Sequence, residues 1–167
     1  WTEKARWALD HHGIAYRYVE HLPIVGDPWL RLKKGDITKR VTVPFLEGDG
    51  EAISDSFEIA RHADHVGHGA PLLPEGRSGP IADLNAQANE ILDVARALVI
   101  ARTREDPDVQ REAVPAFVPG FLRGATLPVT RITAGLIGKK YGAPADFDAR
   151  IESVVIPRLE AWQEALG

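Results

Sequence analysis

Apolar residues recur at helical spacing from the start of the chain. Trp1, Ala5, Ala8 and Leu9 share one face of a predicted helix over Thr2 to His12, and Gly13 is placed to end it. The pattern then switches: Ala15 to Leu22, rich in Tyr and Val, reads as a strand. The stretch from Pro23 to Arg40 is polar and predicts one irregular helix around Trp29 to Lys34. Val41 to Leu46 reads as a strand, Gly48-Asp49-Gly50 as a tight turn, and Glu51 to Ile53 as the returning strand of a hairpin. Asp55 opens the next helix, with Glu58 three residues on as its capping-box partner. Ile59, Ala60, Ala63 and Val66 would supply the buried face of that helix.

From Gly67 to Pro80 the chain is dense in Gly and Pro, which punctuates it as a domain boundary would. Beyond it only helical periods remain. Ile81, Leu84, Ala88, Ile91, Leu92, Ala95, Leu98 and Val99 step by threes and fours along one long helix, with Pro80 suited to its first position. A second helical stretch from about Val109 to Tyr141 carries Pro115, Pro119 and Pro128 and must therefore be kinked or broken. A third begins near Asp148, with Ile151, Val155, Leu159, Trp162 and Leu166 as its stripe. These elements predict an α/β region over residues 1–72 and an all-helical region over 78–167.

Composition changes this picture little, with one exception. A 44% hydrophobic and 26% charged chain of 167 residues is ordinary globular material, able to bury a core without staples. Twenty basic and 24 acidic side chains give 20 − 24 = −4, spread evenly, so no basic patch argues for nucleic acid. No apolar run approaches the roughly 18 residues that span a bilayer. Absence of Cys removes disulfides and any Cys nucleophile from these residues, which is compatible with a cytoplasmic setting. The exception is the absence of Met, from which we expect the stretch to start downstream of a true N-terminus.

Two local features could carry chemistry. Val43-Pro44 sits where a strand is expected, and Pro has no N–H to give a ladder. It is either a plain edge-strand Pro or a cis Pro that turns the Val43 backbone outward to pair with an extended ligand. Ser54-Asp55-Ser56 stands at a helix start, where free N–H groups and the helix dipole suit a carboxylate, although capping alone would also favour these residues. His62, His65 and His68 are spaced by three, but Gly67 should end the helix first, and a solvated face is the better reading than a metal site. Trp162 belongs to an apolar stripe; Phe117, Phe121 and Tyr141 are read as helix core, with an electrophile pocket as the alternative role.

The run Trp1-Thr2-Glu3-Lys4-Ala5-Arg6-Trp7-Ala8-Leu9, then Val43-Pro44-Phe45-Leu46, then Ile53-Ser54-Asp55-Ser56-Phe57-Glu58-Ile59-Ala60 resembles the glutathione S-transferase family over residues 1 to about 66. The resemblance implies a thioredoxin-like N-terminal domain followed by a helical-bundle domain. The first strand would lie upstream of Trp1, and the helical domain would be incomplete at its C-terminal end. It implies that Val43, ahead of a cis Pro44, pairs with the cysteinyl part of glutathione. Asp55 and Ser56 would hold the γ-glutamyl end, and Lys39 or Arg40 would be candidates for the glycyl carboxylate.

The thiol-activating residue of such proteins is expected just upstream of Trp1; Thr2 has a hydroxyl near that place and is a candidate, but is better suited to capping the first helix. By the same resemblance glutathione is a co-substrate, no cofactor or metal is needed, the other partner is a small hydrophobic electrophile, and a homodimer is expected. Transfer of an alkyl or aryl group to the glutathione thiol is the leading activity. Isomerisation, dehalogenation or thiol–disulfide reduction on the same scaffold, or a non-catalytic interaction role, are the alternatives.

Overall fold

The computed structural model describes residues 1–22, 26–35, 38, 42–48, 50–142 and 146–166. Its contacts divide the chain into two compact units, Trp1–Asp83 and Leu84–Gly167.

In the first unit α1 (Thr2–His11) and α2 (Asp27–Lys33) precede a hairpin of β1 (Phe45–Gly48) and β2 (Glu51–Ser54), and α3 (Ser56–Val66) follows directly. Ala5, Ala8 and Leu9 of α1 are buried against Ile59 and Ala63 of α3, the core of the unit. Small side chains at these positions let the two helices approach closely, and Ile14, Tyr16, Leu46, Ile53 and Ala60 close around them. Val66, expected on the buried face of α3, is instead half-exposed.

The stretch expected as a strand, Ala15 to Leu22, has no ladder partner among the described residues. Alternating Tyr and Val make a strand possible, but only a neighbour's hydrogen bonds make one. Tyr16 packs on the core instead, its hydroxyl accepting a hydrogen bond from Arg6 Nε at 3.3 Å, and the same guanidinium lies 5.5 Å from the Tyr18 ring centre. Thr2 does not cap α1: it is the first helical residue, Trp1 holds the cap position, and no side chain bonds there.

A polar network fastens the end of this unit. His12, only 2% exposed, donates from Nδ1 to the His68 carbonyl at 2.9 Å, while its Nε2 lies 2.6 Å from Asp64 Oδ1. Asp64 also accepts from the backbone N–H groups of Leu72 and Leu73, each at 2.8 Å. The His68 N–H donates back to the His12 carbonyl, and His11 Nε2 reaches the Ala70 carbonyl at 2.8 Å. A segment with no regular structure of its own is thus hydrogen-bonded to the ends of α1 and α3.

The second unit is helical throughout. α4 (Ser78–Glu105) begins in the first unit and continues into the second; Ser78, two residues ahead of Pro80, is its first residue. Its most buried residues are Val94, Ala97 and Thr103, whereas Leu84 and Val99 of the expected stripe are exposed. The broken second stretch resolves into α5 (Pro107–Glu112), a 3₁₀ segment over Gly120–Thr126, and α6 (Leu127–Tyr141). Pro115 and Pro119 fall between these helices and Pro128 in the first turn of α6, positions where a missing N–H costs nothing. After α7 (Phe147–Arg150) the chain makes a π turn over Ile151–Val155 and continues as α8 (Ile156–Leu166). Trp162 Nε1 donates to Gln87 Oε1 at 2.9 Å, and Arg158 pairs with Glu90, which ties α8 to α4.

Burial works against the charge of Asp64, but the N–H groups of Leu72 and Leu73 and the His12 ring outweigh it, holding the carboxyl below the usual aspartate range. Because the folded value is lowered, this stabilisation is fully present above the unfolded value near about 3.9 and is lost as pH falls through the folded one. Asp64→Asn is therefore expected to lower stability at pH 7 by about 1–3 kcal/mol. Its stability should also fall less steeply than the wild type's below pH ~4, as urea unfolding across pH would show.

Candidate functional site

The hairpin register brings the two candidate segments together. Phe45 pairs with Ser54, so the residues just before β1 and just after β2 emerge at the same end of the sheet. Val43 and Pro44 lie on one side of that end, with a cis peptide bond between them; Asp55 and Ser56 lie on the other. Pro44 is buried and Val43 is partly exposed ahead of the ladder. Asp49, part of the turn expected at Gly48-Asp49-Gly50, lies outside the described residues.

Asp55 carries the backbone distortion of the site. Its φ of 86° is the one positive value at a non-glycine position among the described residues, a conformation that costs about 1–3 kcal/mol. The distortion lets its side chain fold over the start of α3. There Oδ1 accepts from the N–H of Phe57 at 2.8 Å and of Glu58 at 3.4 Å. The cap expected from sequence is therefore present, but the reciprocal arm is not: Glu58 turns to Arg61 at 3.4 Å. Ser56 is the first helical residue and is 2% exposed. Any contribution it makes to an anion is short-range, through its N–H and hydroxyl at the positive end of an 11-residue helix.

Lys34 and Lys4, which sequence reasoning did not single out, stand beside this turn. Lys34, which caps the end of α2, donates from Nζ to Ser54 Oγ at 3.1 Å. Its neighbour Lys33 pairs with Glu47 of β1 at 2.6 Å, so the end of α2 is fastened to both strands. Lys4 of α1 is partly buried, which lowers its pKa, while the field of Asp55 works in the opposite direction. The Lys33-Lys34 pair at a helix end was the available signal, since cations there also suit the dipole. Lys39 and Arg40, the candidates for a ligand carboxylate, lie outside the described residues. Thr2 sits in the first turn of α1, with no cap bond from its side chain.

The histidines are spent elsewhere. His62 lies 3.6 Å from Glu51, His68 contributes backbone groups to the His12 network, and no three metal-ligating side chains converge among the described residues. In the helical unit Phe117 and Phe121 are exposed, at 70% and 85%, not packed as helix core. Tyr141 lies 4.4 Å from the Arg96 guanidinium.

The arrangement brings the cis Val43-Pro44 bond, a helix N-terminus, one carboxylate and the ammonium groups of Lys34 and Lys4 to one end of a small sheet. Residues 1–66 match the family model described as the glutathione S-transferase N-terminal domain. This part of the chain is a domain of the glutathione S-transferase family, and its fold is the thioredoxin-like one of that domain, with helices following. Searches among curated proteins and among solved structures gave no match.

The two tasks of Asp55 are separable. Asp55→Ala keeps the unfavourable φ and loses the cap, with an expected loss of about 1–3 kcal/mol. Asp55→Gly also loses the cap but accepts the φ freely, so it should be about 1 kcal/mol more stable than Asp55→Ala. Chemical unfolding of the two variants side by side checks this.

Proposed function

We propose that the protein binds glutathione at this end of the hairpin and activates its thiol for attack on a hydrophobic electrophile. The observation that carries the reading is the juxtaposition of Asp55 and Ser56 at the start of α3 with the Lys34 ammonium, inside a domain of the glutathione S-transferase family. In this reading the γ-glutamyl carboxylate lies on the Ser56 N–H and hydroxyl, and its ammonium faces Asp55. The Val43 N–H and carbonyl pair with the cysteinyl residue as one more strand would. Lys34 and Lys4 supply the positive field that an anionic tripeptide needs.

Thiol activation asks little energetically. Lowering a thiol pKa by two units takes about 2.7 kcal/mol. One or two charge-assisted hydrogen bonds at about 1.5–3 kcal/mol each suffice. The thiolate then attacks the electrophile, forming the carbon–sulfur bond as the leaving group departs with its electron pair.

Isothermal titration with glutathione is expected to give a dissociation constant of millimolar or tighter. Ser56→Ala and Lys34→Ala should each weaken it several-fold and Asp55→Ala at least tenfold, equivalent to about 1.4 kcal/mol. No binding, or binding indifferent to all three substitutions, would sink the reading. Binding without turnover of a chlorodinitrobenzene-type electrophile would leave a glutathione-binding protein that is not a transferase of such compounds.

A further inference from the structure

The helical unit carries a second feature, independent of the glutathione reading. One face of α4 and one face of α6 border a trough made of two adjoining hollows of about 710 and 780 Å³. Both hollows are lined by Arg104, Glu105, Arg131 and Ile132, which therefore stand where they meet. Along α6 the lining runs from Leu127 to Gly142, about 22 Å at 1.5 Å per residue.

The chemistry of the trough is amphipathic. Ile132 and Leu136 are 65% and 47% exposed within it, an apolar strip left to solvent. Three cations, Arg104, Arg131 and Lys139, border it against one carboxylate, Glu105. Among the described residues neither guanidinium has a carboxylate partner, so both forks are open to an incoming anion. This local excess of positive charge stands on a chain whose net charge is −4. The floor is shaped by glycine. A Cβ at Gly138 would stand 3.3 Å from Ile100 Cγ2, so α4 and α6 meet there. At Gly135, one turn earlier, the nearest group would be Arg104 Nε at 4.0 Å, so that glycine leaves space that packing does not require.

We propose that this trough docks an acidic amphipathic helix of a partner protein. An apolar stripe at i, i+3, i+4 and i+7 would lie on Ile132 and Leu136, and flanking carboxylates would meet the forks of Arg104 and Arg131. A small amphiphile fits less well, since such ligands usually lose 70–90% of their surface and this floor is open. Nucleic acid fits less well still: three cations in about 22 Å face roughly one phosphate charge per 1.7 Å of duplex, and the apolar strip would have no counterpart.

The test uses the whole protein and a labelled helical peptide of about 15 residues with a Leu stripe at i, i+3, i+4 and i+7 flanked by Glu, beside a twin carrying Lys in place of Glu. Fluorescence anisotropy should show saturable binding of the Glu peptide, weakening as salt rises, and none of the Lys peptide. The double variant Arg104→Glu, Arg131→Glu should lose at least tenfold for the Glu peptide and gain binding of the Lys peptide, a swap that mere damage to the fold would not produce. Gly135→Leu, which fills the floor and favours the helix, should weaken the Glu peptide at least tenfold with unchanged circular dichroism. Absence of saturable binding overturns the proposal, as does binding indifferent to both the charge reversal and Gly135→Leu. So does tighter binding of monomeric dodecanoate that the Glu peptide cannot displace, which would make the trough a small-amphiphile site.

Discussion

Asp64 and the buried His12 meet at 2.6 Å, and much of the first unit hangs on that contact. His12 sits just past the end of α1, Asp64 in the last turns of α3, and the two helices already share an alanine-rich core. Core packing alone leaves the helix ends and the residues after them unspecified, because apolar contacts are not directional. The carboxylate supplies direction. With its two oxygens it orders the backbone at Leu72 and Leu73, and through the ring of His12 it reaches His68 as well. A segment rich in Gly and Pro thereby gains a defined path without any secondary structure. The cost of a buried polar group is met because every partner is satisfied at once.

With the helices held, the site follows from strand register. Pairing of Phe45 with Ser54 leaves Val43-Pro44 and Asp55-Ser56 at one end of the sheet, and α3 starts there without an intervening loop. The sharp turn from strand to helix is made at a residue whose own conformation is unfavourable. A glycine would make it more easily; the Asp55 carboxylate instead offsets part of the strain by capping Phe57 and Glu58.

The readable parts of the sequence were those with local causes. Period and punctuation gave the hairpin, α3 with its cap at Asp55, and the interruption of the helical half around Pro115 and Pro119. What was not readable depended on partners distant in sequence. Ala15 to Leu22 has the composition of a strand but no ladder among the described residues. The stripe assigned to α4 included Leu84 and Val99, which are exposed, because helical period identifies a face but not which neighbour covers it. His12 was invisible for the same reason: its partner lies 52 residues away, and nothing in its neighbourhood marks it as buried. Lys34 gained meaning only when α2 was placed beside β2. The family resemblance, by contrast, rested on the order of three short runs, and the matched segment 1–66 contains all three.

The π turn at Ile151–Val155 bears on how this chain should be compared with others. One wider turn takes up an extra residue and rotates everything after it by about 100° relative to a continuous α-helix. Ile151 and Val155 therefore do not continue in phase with Leu159 and Trp162, although their spacing in sequence suggests a single stripe. A related chain lacking one residue here could keep Trp162 against Gln87 by closing the turn to ordinary α geometry. The natural place for an alignment gap in the helical half is thus inside a helix, between Ile151 and Val155, not in the loops where gaps are usually sought.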